Sequence, residues 1–213
     1  RQLNDVYMST SAMEEKIASF LESSPTSAIY DLGCGLGAQT FHLAQRFPAI
    51  KFVGLDYNRS RIEFAESFRL QKKVPNVEFH EFDVYHPSSF ESIYSQEKVG
   101  VISIHTLCCF RDFSPFFEAA LGLNPDWLAV NSLFWDGPLE VLIHIRELDN
   151  IRPDDDPDSD FNVFSKQAVG NYLSESGYSY QFEDFFPRRS LPKPPGNGRG
   201  TYTISTEFNE NTQ

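Results

Sequence analysis

The chain has 213 residues, enough for one α/β domain with a single large core, and its hydrophobic fraction of 40% is ordinary for a globular protein. The formal net charge of −12 at pH 7 argues against nucleic acid as a partner, because a phosphate backbone would be repelled. Three cysteines, two of them adjacent, make neither a disulfide framework nor a zinc spacing, and no apolar run is long enough to span a membrane. We therefore expect a cytoplasmic protein with no bound metal and no membrane partner.

Short apolar runs alternate with helical patterns along the chain, which predicts βαβ units and a parallel sheet. The predicted helices cover residues 13–21, 38–46, 59–70, 88–96, 115–121 and 165–176. The predicted strands cover residues 28–32, 51–55, 77–82, 99–104, 127–133, 178–185 and 200–208. Because the composition shows no break, we predict a single domain over residues 1–213. The long connection at about 134–162 is predicted to be an insertion that covers the substrate.

A glycine-rich segment, DLGCGLG at residues 31–37, lies between the first predicted strand and the next helix. Glycines at Gly33, Gly35 and Gly37 allow a tight turn and a close approach of a ligand to the backbone. The spacing G-x-G-x-G differs from the G-x-G-x-x-G pattern of dinucleotide-binding proteins. Asp31 would repel a pyrophosphate at the helix start but would favour a ligand that carries an ammonium group. The alternative is a tight turn without a ligand.

Two further acids end the second and third predicted strands. Asp56 follows the second strand, where a carboxylate can accept hydrogen bonds from both hydroxyls of a ribose. An N-cap of the following helix is the alternative role for Asp56, since aspartate is also favoured there. Asp83 follows the third strand, where its carboxylate can accept from an adenine amino group while the backbone N–H of Val84 meets a ring nitrogen. Three acidic strand ends on one sheet edge are more specific than any one of them.

With these motifs the chain resembles the class I S-adenosylmethionine-dependent methyltransferases over nearly its whole length. The resemblance implies an α/β fold with a single Rossmann-like, doubly wound seven-stranded sheet. Its strand order is 3-2-1-4-5-7-6, with strand 7 antiparallel and helices on both faces. The resemblance also implies S-adenosyl-L-methionine as the cofactor, with Tyr57 against the adenine and the loop at His105 beside the methionine part. The cofactor-binding residues predicted in this way are Asp31, Gly33, Cys34, Gly35, Gly37, Asp56, Tyr57, Asp83, Val84 and His105.

The catalytic group is less evident from the sequence. Cys108 and Cys109 stand where many methyltransferases of small molecules have paired histidines, so a base cannot be assumed at these positions. His105, at the end of the fourth strand, and His144, in the long connection, are the candidates for accepting a proton from the substrate. A role for His105 in binding or packing against the cofactor, and exposure of His144 to solvent, are the alternatives.

Substrate-binding residues are expected in the connections that overhang the carboxyl ends of the strands. Trp135 begins the long connection, and Arg188 and Arg199 belong to the one basic segment of this acidic chain. The acidic run at 154–160 lacks the glycine and the final glutamate of a calcium loop, so we interpret it as a solvated loop. The cations favour an anionic acceptor, whereas exposure to solvent or pairing with surface acids is the alternative for them.

We interpret the chain as an enzyme that methylates a small molecule at oxygen or nitrogen, with an anionic metabolite or a sugar precursor as the acceptor. One alternative is a catalytically inactive protein that binds S-adenosylmethionine and acts through a partner. The other alternative is an NAD-dependent oxidoreductase, which Asp31 and the glycine spacing disfavour. The sequence leaves the oligomeric state open.

Overall fold

The computed structural model describes residues 8–86, 98–146 and 158–183. The described elements, in chain order, are α1 (Met8–Ser23), β1 (Ala28–Leu32), α2 (Ala38–Arg46), β2 (Lys51–Asp56), α3 (Arg59–Lys72), β3 (Val77–Glu81), β4 (Val99–Ile104), α4 (Ser114–Gly122), β5 (Trp127–Asn131), β6 (Phe134–Trp135), β7 (His144–Arg146), β8 (Asp158–Asp160), β9 (Phe164–Ser165) and α5 (Lys166–Glu175). A single turn of 3-10 helix over Leu107–Cys109 follows β4.

Five parallel strands form the central sheet in the order β3-β2-β1-β4-β5. All residues of β1 and β4 are buried, which is why both strands appear in the sequence as nearly continuous apolar runs. The order reverses between β1 and β4, and a crevice for ligands forms at such a switch point, outside the carboxyl ends of the strands. The α/β fold and the first five strands of the predicted order are confirmed.

Helices cover both faces of this sheet. One core contains Ile17 of α1, Phe41 of α2 and Ile62 of α3, packed on sheet residues such as Phe52. The other core contains Phe116 of α4 and Val169 and Leu173 of α5, packed on sheet residues such as Tyr30. The described helices include none that is long and apolar enough to cross a membrane.

The end of the chain departs from the prediction. A strand was expected at 178–185, but the described part of it, residues 178–183, has no regular secondary structure. The chain turns at Gly177, whose φ is 86°, and the ring of Tyr180 then packs against Gly170 of α5. Phe182 packs against Phe134, with ring centroids 5.2 Å apart. Aromatic residues at alternate positions, such as Tyr180 and Phe182, produce the sequence pattern of a strand, although their rings pack onto α5 and β6. The predicted helix at 88–96 and strand at 200–208 lie outside the described residues, and the seven-strand order stays a prediction.

The described parts of the long connection form small sheets rather than an open loop. Trp135 of β6 pairs with Ser165 of β9 in a parallel arrangement, and β7 pairs with β8 in an antiparallel one. The antiparallel register sets His144 directly opposite Asp160. Paired backbone groups give the insertion a defined geometry beside the loop that follows β4.

Candidate cofactor and acceptor site

The glycine loop is fixed to the end of β2 by its backbone. The N–H groups of Gly33 and Cys34 both donate to the carbonyl oxygen of Leu55, at 2.7 and 3.0 Å. Gly33, Gly35 and Gly37 have φ values of 82°, 56° and 77°, a region that side chains other than glycine seldom occupy. Gly37 is the N-cap of α2. The turn between β1 and α2 therefore requires glycine at all three positions for backbone reasons alone.

The surroundings of the three glycines differ. A Cβ atom at Gly33 would lie 2.1 Å from Cγ2 of Thr106, and one at Gly37 would lie 2.5 Å from the ring of Phe79. A Cβ atom at Gly35 would meet no atom within 4 Å. Gly33 and Gly37 are therefore required by packing, whereas Gly35 borders open space. A ligand at the carboxyl edge of the sheet could approach the backbone closely at Gly35.

Asp56 ends β2 with only 6% of its surface exposed, and its carboxylate is turned toward the glycine loop. Oδ2 accepts a hydrogen bond from the Gly35 N–H at 2.9 Å, and Oδ1 accepts from the Asn58 N–H at 3.0 Å. The N-cap of α3 is Asn58, whose side chain accepts from the Arg61 N–H. The structure therefore excludes the N-cap role for Asp56 and leaves its carboxylate beside the open side of the loop.

Asp31 lies on β1 and is 1% exposed. Burial and the negative charge of Asp56 together raise the pKa of this carboxyl to about 6, although a hydrogen bond from the Thr40 hydroxyl, at 2.6 Å, opposes the shift. Two acids thus lie near one another, with little solvent to screen them. A cationic group bound between them would relieve this repulsion, so the pair is suited to a ligand that carries an ammonium group.

Asp83 and Val84 follow β3, and the local turn already uses the carboxylate. Asp83 Oδ1 accepts from the Tyr85 N–H at 2.9 Å, and Oδ2 lies 2.8 Å from Nδ1 of His86. Val84 is half-buried against the core, whereas the Tyr57 ring, 57% exposed, borders solvent. An adenine amino group would therefore have to share or replace the local partners of Asp83.

His105 occupies the left-handed region, with a φ of 59°, immediately after β4. Its N–H donates to the Asn131 carbonyl oxygen at 2.8 Å, which holds this unusual backbone in place. The ring is exposed on one side, but removal of water by the surrounding atoms lowers the pKa of His105. The imidazole is consequently neutral at pH 7 and able to accept a proton.

Cys34, inside the glycine loop, is buried, and burial raises the pKa of its thiol. Its sulfur lies 3.7 Å from the Gly35 carbonyl oxygen. The thiol therefore remains protonated and fills space between the loop and β2, where Gly54 leaves room for it.

His144 lies in a cluster of polar side chains on the insertion. Its Nδ1 is 3.1 Å from Asp160 Oδ1, and Arg111 Nε donates to Asp160 Oδ2 at 2.9 Å. Hydrogen bonds with His144, and then with Arg111, lower the pKa of Asp160. Sequence reasoning missed Asp160 and Arg111, because neither the pairing of β7 with β8 nor the contact of Arg111 with Asp160 is visible in the sequence. The described residues include no group of three His, Cys, Asp or Glu side chains arranged to hold a metal ion.

Asn162 anchors the insertion to the loop that follows β4, a role that no sequence pattern indicates. The side chain is 1% exposed. Its amide nitrogen donates to the Phe110 carbonyl oxygen at 2.6 Å, and its amide oxygen accepts from the Ile143 N–H at 2.9 Å. The Asn162 N–H also donates to the Cys108 carbonyl oxygen at 2.7 Å. Asn162 thereby fixes the backbone at Phe110 and Ile143, the residues that directly precede Arg111 and His144 in the chain.

Of the three predicted substrate-binding residues, the structure describes one. Trp135 lies in β6, with 43% of its surface exposed. Arg188 and Arg199 lie outside the described residues. The structure therefore brings together Asp31, Asp56 and the glycine loop at one edge of the sheet, with His105 at the end of the neighbouring strand.

These features suit S-adenosylmethionine, which carries an ammonium group, a sulfonium and a ribose. Gly35 borders open space, Asp31 and Asp56 are buried acids beside it, and carboxylates are the acceptors that a ribose diol and an ammonium group require. The residues present therefore fit this cofactor by their chemistry.

Comparison with known proteins agrees with this geometry. A family model described as a methyltransferase domain matches residues 23–132, just over half of the chain. Trans-aconitate 2-methyltransferase of Deinococcus radiodurans is 35% identical over 96 residues, which are 45% of this chain and 36% of that protein. Phosphoethanolamine N-methyltransferase 1 of Arabidopsis thaliana is 25% identical over 191 residues, 81% of this chain and 33% of that protein. The matched region spans only about a third of the length of these two relatives.

Solved structures show the same fold at low sequence identity. The N-terminal domain of EvdMO1, with SAH bound, has a TM-score of 0.54 and 19% identity, covering 76% of this chain and 70% of that one. The YcgJ protein from Bacillus subtilis has a TM-score of 0.51 and 18% identity, covering 81% of this chain and 69% of that one. With the glycine loop, the acidic strand ends and the matched family model, the chain belongs to the class I S-adenosylmethionine-dependent methyltransferases, whose cofactor is S-adenosyl-L-methionine.

Proposed function

We propose that the protein transfers a methyl group from S-adenosylmethionine to a small-molecule acceptor, at oxygen or nitrogen. The observation that carries the proposal is the arrangement of Asp31 and Asp56 at the glycine loop. The buried Asp56 carboxylate accepts from the Gly35 N–H, open space lies beside Gly35, and the buried Asp31 carboxylate is near enough to Asp56 for their charges to interact. An NAD-dependent oxidoreductase would need to bind a pyrophosphate beside these acids, and electrostatic repulsion disfavours that reading.

Each residue of the cofactor half has a distinct role in this proposal. Asp31 attracts the ammonium group, and Asp56 exchanges its hydrogen bond from Gly35 for hydrogen bonds from the ribose hydroxyls. Asp83 and Val84 bind the adenine edge, and the exposed ring of Tyr57 covers the adenine face. When bound, the cofactor supplies a methyl group on a sulfonium, and the protein contributes alignment and removal of a proton from the acceptor.

For the proton we propose His144, with Asp160 as the residue that orients its ring. His144 Nδ1 lies 3.1 Å from Asp160 Oδ1 and 3.4 Å from Arg111 Nη2. In the proposed role Nδ1 donates to the nearer Asp160, which favours the tautomer that presents Nε2 as the basic atom, and the charge of Asp160 stabilises the imidazolium that forms. The roles of the two residues follow the general logic of a base held by a carboxylate. His105 is the second candidate for this role, because its neutral ring lies at the end of β4, beside the glycine loop.

The acceptor is proposed to be an anionic metabolite or a sugar precursor. Both relatives described above are named for small acceptors that carry carboxylate or phosphate groups. Arg188 and Arg199 remain the proposed partners of such an anion, with Trp135 as an apolar contact. A protein that binds the cofactor but acts only through a partner is the remaining alternative, and it would bind normally without methylating any acceptor.

Calorimetry on the full chain tests the cofactor half of the proposal. S-adenosylhomocysteine is expected to bind with a dissociation constant in the micromolar range, and NADH is expected to show no heat of binding. Adenosine is the matched control, because it keeps the ribose and the adenine but lacks the ammonium group. Binding of NADH with equal or greater affinity would overturn the assignment of the site.

A panel of acceptors tests the proposed methyl transfer and the proposed class of acceptor. The protein and S-adenosylmethionine are incubated separately with trans-aconitate, phosphoethanolamine, a neutral hexose and a neutral phenol, and a mass increase of one methyl group is sought. Methylation of either anion supports the proposed acceptor class. Methylation restricted to the neutral compounds would contradict it, and binding of the cofactor with no methylation across a wider panel would favour the partner-dependent alternative.

A further inference from the structure

Cys108 and Cys109 are adjacent in the 3-10 turn after β4, and their thiols converge on one point. The two sulfur atoms lie 3.3 and 3.8 Å from the same oxygen, the carbonyl of His105. Cys108 is 2% exposed, whereas Cys109 is exposed. The pair therefore consists of one accessible thiol and one buried thiol beside the same carbonyl oxygen.

The two thiols have unequal reactivity. The hydrogen bond from Cys108 lowers the pKa of Cys109, and the charge of Arg61 contributes in the same direction. The same hydrogen bond, together with burial, raises the pKa of Cys108. Since the thiolate is the nucleophile, Cys109 reacts first and Cys108 follows as the second sulfur.

The geometry restricts what the pair can bind. Consecutive Cα atoms are about 3.8 Å apart, shorter than the roughly 4.4–6.8 Å that disulfides span, so a bond between the two sulfurs is disfavoured. Zinc requires about four ligands, and no third donor among the described residues completes a metal-binding group. A three-coordinate centre with one substituent of its own needs only two adjacent sulfurs.

We propose that Cys108 and Cys109 form a binding site for trivalent organoarsenic compounds and similar soft, three-coordinate ligands. With a compound of the form R–As(OH)₂, two As–O bonds break and two As–S bonds form. The two thiol protons leave with the hydroxyl groups as two molecules of water. No electrons are exchanged, so the step needs no oxidant or reductant. This inference goes beyond the proposed function and does not depend on it.

Ligation of the pair has a consequence for the cofactor loop. The Cys109 N–H donates to the Thr106 carbonyl oxygen at 2.9 Å, and the Thr106 hydroxyl donates to the Gly33 carbonyl oxygen at 3.0 Å. On the other side, the Cys108 carbonyl oxygen accepts from Asn162 of the insertion. Because Cys108 must leave its buried position to meet the ligand, the turn has to move. Movement of the turn would disturb both the glycine loop and the anchorage of the insertion.

Phenylarsine oxide, which hydrates to the dihydroxy form, tests the site on the intact chain. We expect one adduct per chain by mass spectrometry, loss of two of the three titratable thiols, and a mapped peptide that contains both cysteines. 1,2-Ethanedithiol should reverse the adduct, whereas an equal concentration of thiol groups supplied as 2-mercaptoethanol should not. Cys108→Ser and Cys109→Ala should each weaken binding at least tenfold, while Cys34→Ser should retain it.

Thermal melts of each variant show whether the compared proteins are folded. If Cys108→Ser fails to fold, the binding measured for Cys109→Ala, at the exposed position, tests the site. Equal binding by the Cys109→Ala variant, or an adduct mapped to Cys34, would overturn the site. Phenylarsine oxide is also expected to lower the affinity for S-adenosylhomocysteine at least tenfold. Unchanged affinity in a confirmed adduct would overturn the coupling to Gly33 but not the dithiol site. Failure of S-adenosylhomocysteine to bind in the absence of arsenic would contradict the proposed function alone.

Discussion

The carboxylate of Asp56 accepts a hydrogen bond from the backbone N–H of Gly35, across 2.9 Å, and thereby joins the end of β2 to the middle of the glycine loop. The two groups are those that the proposed cofactor would use. Binding is therefore an exchange of one hydrogen bond for others rather than the formation of bonds by unpaired groups. Such an exchange gives a modest net free energy for each contact.

Replacement of Asp56 by alanine tests this exchange. We expect Asp56→Ala to weaken the binding of S-adenosylhomocysteine by about 1–3 kcal/mol, because two ribose hydroxyls lose a charged acceptor. Calorimetry measures the change, with Glu63→Gln on the exposed face of α3 as the control that removes a carboxylate elsewhere. Equal affinities of the Asp56→Ala variant and the parent would remove Asp56 from the site.

Asp31 makes stability depend on pH. Because its pKa is raised to about 6 in the folded state from an ordinary value of 3.8, the folded protein holds this proton more tightly than the unfolded chain. The stability contributed by the protonated form is complete below about pH 4 and is lost as the pH rises through about 6. Asp31→Asn should therefore raise the free energy of unfolding by roughly 1–3 kcal/mol at pH 8 and by little at pH 4. Urea denaturation at the two pH values measures the difference, and an equal gain at both would contradict the assignment.

The same substitution should impair ligand binding. S-adenosylhomocysteine carries an ammonium group, so its affinity for the parent should fall as the pH drops below about 6 and Asp31 takes up a proton. Asp31→Asn should bind it weakly at pH 8 and should lose this pH dependence. A variant that is more stable but binds as tightly as the parent would show that Asp31 does not contact the ligand.

Two glycine substitutions distinguish the cost of a strained backbone from the cost of a steric clash between the new Cβ atom and a neighbouring side chain. Gly35→Ala should cost only about 1–2 kcal/mol of stability, the cost of a left-handed backbone, because its Cβ atom meets open space. The new methyl group should nevertheless obstruct the cofactor. Gly37→Ala adds a collision with the Phe79 ring and should be the more destabilised variant. Thermal melts and calorimetry on both proteins provide the comparison, and the reverse order of stability would contradict the packing argument.

His144 is expected to govern turnover rather than cofactor affinity. With an acceptor found in the panel, His144→Gln should lower kcat by about 10²–10⁴-fold, the usual contribution of a general base, and leave S-adenosylhomocysteine affinity unchanged. His80→Gln, on β3, is the matched control. If His105→Gln shows this loss instead, the base is His105.

Asn162 should control the position of the insertion. Asn162→Leu keeps the volume but removes the hydrogen bonds to the Phe110 carbonyl and from the Ile143 N–H, at a cost of about 0.5–1.5 kcal/mol for each bond. Hydrogen exchange should accelerate at Ile143 while the amides of β1 stay protected. Asn171→Ala, on the exposed side of α5, is the control. Unchanged exchange at Ile143 would mean that other contacts hold the insertion.

The part of the fold around the glycine loop was largely predictable from the sequence because each of its elements has a local sequence pattern. Strands β1 and β4 and helix α2 have the predicted bounds. Each of them is an apolar or amphipathic run bounded by residues that commonly end a helix or a strand. The glycine loop was equally clear, since positive φ angles leave few other residues that fit.

The insertion was not predictable in the same way. The pairing of His144 with Asp160 depends on a register between two short strands separated by an acidic run, and the hydrogen bonds of Asn162 reach backbone atoms as far away along the chain as Cys108. The use of Asp83 by its own turn also escaped prediction, because a carboxylate at a strand end looks the same in the sequence whether it faces a ligand or the next N–H group.

The joint at Asn162 consists of bonds from one residue to backbone atoms of Cys108, Phe110 and Ile143. Backbone atoms are common to every amino acid, so the joint does not depend on which side chains its neighbours carry. The surrounding surface, including Trp135 and the exposed aliphatic residues at 141–145, can therefore be randomised in a library while position 162 stays asparagine. Acceptor preference could change in such a library without dismantling the domain, and natural descendants of this chain could diversify by the same route.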